Sequence, residues 1–175
     1  MTVIAALIAA VVAVAGYMLT QAQARRERRA KEFAQALAAV EEYLEAPYRI
    51  RRRQASTPEA RDALTNMLSD LQARIAHHRA WLHVEAQAVA SAYDALVAAA
   101  RSEAGVQMTE AWNSAPLAKD ADMNLKVAYQ HPDSDAERAK VIAVMRQNLR
   151  YWPSAKTLRP ASRTAIGGGS PGTLS

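Results

Sequence analysis

Residues 64–96 read "LTNMLSDLQARIAHHRAWLHVEAQAVASAYDAL". Leu64, Leu68, Leu71, Ile75, His78, Leu82, Glu85, Val89, Ala92 and Leu96 recur there at alternating spacings of four and three. That is the period of an α-helix with one stripe turned to a neighbour, the seam of a coiled coil or helical bundle. A start signal lies just upstream, with Thr57 as N-cap, Pro58 at the first helical position and Glu59 in the first turn. Gly105 is the natural stop. The spacing therefore predicts one long helix over 58–104. Two polar residues, His78 and Glu85, occupy seam positions seven apart. Polar groups in an apolar seam fix register or oligomeric state, unless that part of the seam is solvated. On one helix they stand about 10.5 Å apart along the axis, too far for a direct bond, so a Glu85 that partners His78 must come from another chain.

The flanking segments are also helical. Over 21–46, Phe33, Leu37, Val40 and Leu44 share a face, and Pro47 ends the helix because the residue before a proline is pushed out of helical geometry. Residues 47–57 form an arginine-rich loop. Residues 134–152 open with the capping box Ser134-x-x-Glu137 and present Ile142, Met145, Leu149 and Trp152, a third amphipathic helix. Between the helices, 105–133 is an irregular connector, since Met123, Leu125, Val127 and Tyr129 alternate like a strand but have no strand to pair with. The tail 153–175 has turn-forming composition and is expected to be disordered. A helix over 58–104 spans roughly 70 Å, against about 37 Å for 21–45. It must bend near His83, tilt away, or have its far half from Val89 to Leu96 covered by the third helix.

The N-terminal run "TVIAALIAAVVAVAGYML", residues 2–19, carries no charge, and Arg25, Arg26, Arg28, Arg29 and Lys31 follow it closely. This pattern predicts a single transmembrane anchor over 2–20, long enough to cross a bilayer core. The cations hold the following domain on the cytoplasmic side, so the expected location is a bacterial inner membrane with the N-terminus outside. Ala22-Gln23-Ala24 also fits a signal-peptide cleavage pattern, giving an exported protein as the competing reading. A buried core helix is the third. The fold class is thus all-α: an apolar anchor continuing into a small antiparallel hairpin or three-helix domain, then a disordered tail.

Chemistry is thin in this sequence. The absence of cysteine excludes disulfides, thiolate metal sites and a cysteine nucleophile. His77, His78, His83 and Glu85 are never three or four apart, so they do not converge on one helix face, and no metal or cofactor is expected. No serine lies on a strained elbow and no glycine-rich phosphate loop occurs, so no enzymatic activity is expected. Arginine outnumbers lysine 17 to 5 in a chain of net charge +5, usage expected of a high-GC bacterial or phage gene. Arg49, Arg51, Arg52 and Arg53 form a second cationic cluster, a candidate for an anionic ligand such as acidic protein, lipid or nucleic acid. The expected function is an interaction or scaffold protein acting through protein contacts or self-association. A nucleic-acid or anionic-lipid binder working through the arginine loop is the alternative.

Overall fold

A computed structural model describes residues 2–117, 119–125 and 128–150, with only the backbone described for 2–6 and 8. The elements are α1 (Thr2–Leu44), α2 (Ala46–Arg51), α3 (Pro58–Glu85), α4 (Gln87–Asn113), a short 3₁₀ turn (Asp120–Asp122) and α5 (Pro132–Asn148). The fold is all-helical, with no strand among the described residues. The second half of α1 packs on α3 and α4, α5 packs on α4, and α2 closes one end of this helical bundle.

The long helix expected over 58–104 is two helices. Thr57 does cap α3, its Oγ1 accepting from Ala60 N–H at 3.3 Å. The chain then turns at Ala86, whose φ of −149° and ψ of 54° leave helical geometry. Ala86 N–H donates to the Leu82 carbonyl, and its own carbonyl accepts from Val89 and Ala90 N–H, so the corner leaves few backbone groups without partners. Neither glycine nor proline marks it. The physical reason is burial: a straight helix would leave half its apolar seam in water, whereas folding back buries both halves against each other and against α1. Asp94 of α4 pins the corner by accepting from Arg79 at 2.6 Å and facing His83 at 2.9 Å. With 28 and 27 residues, α3 and α4 are matched in length, so α4 returns level with the start of α3. Gly105 does not stop α4, which runs on to Asn113.

The expected seam holds in α3 from Leu71 onward, where Leu71, Ile75, His78 and Leu82 are buried, while Leu64 and Leu68 are only half-buried. At the corner it slips: Glu85 is exposed, Ala86 is buried, and beyond it Tyr93 rather than Ala92 faces fully inward. Val89, Leu96, Ala100 and Ala104 complete the inner face of α4 and meet Phe33, Ala36, Ala39, Val40 and Tyr43 of α1. The alanines let helix backbones approach closely. Tyr93 has no solvent exposure, and its hydroxyl donates to the Ala36 carbonyl at 3.1 Å, which satisfies the polar atom that this side chain places in the core.

α5 lies along α4, as the need for a cover suggested, but its start and face differ from the expected ones. It begins at Pro132 rather than residue 134. Ser134 is fully buried, and no capping box forms. The Glu103 carboxylate of α4 caps the helix instead, accepting from Asp133 N–H at 2.9 Å, Ser134 N–H at 3.1 Å and the Ser134 hydroxyl. Val141 is fully buried in place of Ile142, which is only half-buried. Trp152 and the tail 153–175 lie outside the described residues. The segment 47–57 is not all loop, because α2 occupies Ala46–Arg51 with Pro47 in its first turn.

The N-terminal expectation is corrected. Helix α1 runs unbroken from Thr2 through the arginine knot, and Leu7, Val11, Val12, Val14, Tyr17, Met18 and Leu19 are all more than half exposed. Among the described residues, however, no helix is long and apolar enough to cross a membrane. From Ala9 the uncharged stretch passes through Gly16, Thr20, Gln21 and Gln23 and meets Arg25, so no bilayer-length window there stays apolar. The transmembrane anchor over 2–20, the inner-membrane location and the N-out topology are therefore not supported. Residues 2–6 and 8 of that run fall outside the side chains described.

Candidate functional site

The two arginine clusters sit at opposite ends of the bundle. Arg49, Arg51, Arg52 and Arg53 lie on and just after α2. Arg53 is only 8% exposed and works as an internal clasp. Its guanidinium donates to the carbonyls of Ile50 (3.0 Å), Ala111 (2.8 Å), Trp112 (3.1 Å) and Ser114 (2.6 Å), and its Nε donates to Ser56 Oγ at 3.3 Å. The last carbonyls of α4 have no partner within the helix, and a cation at a helix C-terminus also meets the negative end of the helix dipole. The Trp112 ring stacks against the same guanidinium at 5.4 Å. Arg51 donates to the Ala115 carbonyl at 2.7 Å and Arg52 to the Met123 carbonyl at 3.1 Å, which hold these two points of the chain after α4 against α2. Arg52 also faces Glu45 at 3.6 Å and the Tyr48 ring. Arg49 reaches the Met67 sulfur. Three of the four thus bind main chain of the protein itself.

The arginine knot is arranged differently. Arg25, Arg26, Arg28, Arg29 and Lys31 occupy the part of α1 that borders two grooves at the end of the bundle holding the Ala86 corner. Among the described residues none of the five forms an ion pair. Among the described residues only Arg26 hydrogen-bonds to another element, its Nε donating to the Leu149 carbonyl at the end of α5 at 2.9 Å. The α1/α3 groove, about 430 Å³, is lined by Arg25, Arg28, Arg29, Lys31, Glu32, Trp81 and Glu85. Half-buried Trp81 is held there edge-on by Phe33 at 6.1 Å. Glu85 lines this groove and is exposed, off the buried face of this chain that holds His78.

His78 is buried, and its Nδ1 lies 3.7 Å from Glu32 Oε2, a carboxylate of α1 in the same chain. No hydrogen bond reaches that nitrogen. Burial pushes the imidazole below its ordinary value; His77 and Arg74 add to this, and Glu32 opposes it. The group is therefore held neutral near pH 7. No set of three or more ligating side chains clusters among the described residues.

No protein-family model, curated protein or solved structure matches the chain.

The residues that hold this arrangement were partly invisible in the sequence. Glu103, Asp94 and Trp81 carry no motif, since each acts across helices. Arg53 was visible as a cation but not as a cap, because the α4 carbonyls it binds lie about sixty residues away in sequence.

Proposed function

We propose that this is a non-enzymatic helical interaction protein that docks an acidic polypeptide in the α1/α3 groove. The observation that carries the reading is a row of cations without an ion pair among the described residues, on one face of α1 beside a half-exposed tryptophan. Trp and Arg are the residues most enriched where binding energy concentrates in protein interfaces, and cations at the rim speed and orient the approach of an acidic partner. Glu32 and Glu85 in the same groove favour a partner with a patterned face, because a uniformly anionic polymer would meet their repulsion.

The test is a titration of the full chain with an acidic helical peptide carrying one leucine, and separately with duplex DNA, over a range of salt. The peptide is expected to bind, and Trp81→Ala to weaken it more than tenfold, the loss typical of an interface anchor. Arg28→Gln combined with Lys31→Gln should lower the association rate and the salt dependence. Peptide binding indifferent to Trp81 would sink the reading. DNA binding with log affinity falling steeply in log salt, and equally strong in Trp81→Ala, would replace it with phosphate-backbone recognition.

A further inference from the structure

The second groove, between α1 and the end of α5, differs from the first in one decisive respect. Arg25, Arg26, Arg29 and Arg150 line it together with Tyr17, Met18, Gln21, Ala22, Asn148 and Leu149, and no carboxylate is among them. Its volume is about 560 Å³, within the range of small-molecule sites. Among the described residues that line it, four guanidinium groups stand without an acid, and the resulting positive field favours an anionic ligand. The groove is also graded along α1. Tyr17 and Met18, about two-thirds exposed, make an apolar end, and the arginines begin two turns further on. Arg26 is already fixed by its bond to the Leu149 carbonyl, so one of the four side chains is held in place before any ligand arrives.

We infer that this groove binds an amphiphilic phosphate ester, with the phosphate among Arg25, Arg29 and Arg150 and the apolar body along Tyr17 and Met18. Phosphate is favoured over a lone carboxylate because its oxygens point in several directions and accept from several guanidinium forks at once, whereas one carboxylate is satisfied by one fork. A bare anion would leave the apolar end unused. The ester can come from a phospholipid headgroup in a lipid surface or from a free amphiphilic phosphate, and the chemistry of the contact is the same. Arg25 and Arg29 also line the α1/α3 groove, but Arg150, Tyr17 and Met18 belong to this groove alone, so variants at those three test it separately.

The experiment uses the full chain with three probes: a short-chain phosphatidic acid below its aggregation concentration, inorganic phosphate, and vesicles of phosphatidylglycerol or of phosphatidylcholine. The soluble ester is expected to bind at least tenfold more tightly than inorganic phosphate. Arg150→Gln should weaken it by about tenfold, the loss of one charge-assisted contact, and Arg150→Lys should recover only part of that because it restores the charge without the fork. Met18→Ser should weaken the ester and leave the response to inorganic phosphate unchanged. Arg61→Gln, on an exposed face of α3 at the far end of the bundle, should change nothing. Sedimentation with phosphatidylglycerol vesicles, reduced by Arg150→Gln, would point to the headgroup as the source; ester binding without sedimentation would point to the free phosphate. Equal affinity of Arg150→Gln and the unaltered chain for the ester, at equal helix content, would overturn the site. So would equal affinity of ester and inorganic phosphate.

Discussion

The arginine turn after α2 and the arginine knot on α1 are near-equals in sequence, four cations in five positions against five in seven. Their structural roles are opposite. The turn lies where α4 ends, and three of its four guanidinium groups, those of Arg51, Arg52 and Arg53, donate to main-chain carbonyls, so charge there completes the backbone. The knot lies mid-helix, where the backbone is already paired along α1, and among the described residues only Arg26 of its five cations finds an internal carbonyl, that of Leu149. A run of cations therefore reads as structure or as surface according to which backbone groups surround it, and composition does not report that.

The largest effect expected of this contrast is at Arg53. Arg53→Met keeps much of the volume but strands the carbonyls of Ala111, Trp112 and Ser114, and should cost about 2–4 kcal/mol in chemical denaturation. A loss below about 1 kcal/mol would mean that water replaces the clasp freely, and the turn would join the knot as ordinary surface.

Glu103 is the anionic counterpart, a carboxylate at the N-terminus of α5 where Arg53 is a cation at the C-terminus of α4. Glu103→Ala should cost about 1–2 kcal/mol, in the range of a strong N-cap. Burial alone would raise its pKa, but the hydrogen bonds from Ser134 and Asp133 outweigh burial and hold it below the ordinary carboxylate value. A depressed acid contributes stability that is complete above its unfolded pKa and is lost as pH falls through the folded one. Stability should therefore decline in the unaltered chain below about pH 4.5 more steeply than in Glu103→Ala. Parallel acid limbs would remove Glu103 from its capping role.

His78 stands between the two cases, a titratable group whose nearest carboxylate is just beyond hydrogen-bond range. Its folded pKa is depressed, so the unfolded chain takes up the proton first. Its contribution is full above about pH 6.5 and declines as pH falls below that. The groups that face it are Glu32 of α1 and His77 and Arg74 of α3. His78→Leu should flatten the stability profile between pH 5 and 7 and, because Glu32 is an intrachain partner, leave the molecular mass unchanged. A change of mass in light scattering would restore the reading of His78 as a device that sets self-association.

The smallest effect belongs to the knot. Arg28→Gln should shift stability by less than about 0.5 kcal/mol, since an exposed cation without a partner supports nothing inside the protein. A loss comparable to that at Arg53 would erase the distinction between the clusters.

What was legible in the sequence follows the same division between local and non-local causes. Helix type, the Thr57 start and the buried positions Leu71, Ile75, His78 and Leu82 were readable because they depend on spacing and capping within a few residues. The Ala86 corner was not, since its residue type favours helix and only the burial of α4 against α3 and α1 makes it turn. Length alone had required some accommodation near His83, so the need was visible while the device was not. In α5 the motif misled: Ser134 and Glu137 match a capping box, but a carboxylate thirty-one residues away in sequence competes for the same N–H groups. The apolar N-terminal run illustrates the reverse limit, as its composition suggested a span that the described helix does not provide.

The one-residue corner also bears on how the chain reaches this state. Joining α3 to α4 through Ala86 alone keeps loop-closure entropy minimal, and the bonds between Arg79, His83 and Asp94 connect residues only eleven to fifteen apart. The contacts that bring α1 to α5, Glu41 with Arg138 and Arg26 with Leu149, span 97 and 123 residues. Local contacts form early and distant ones late when each closure must precede its reward. The α3–α4 hairpin is thus the natural nucleus and α1 docking the closing step, so substitutions at the corner should slow refolding while those at the Arg26 contact should chiefly hasten unfolding.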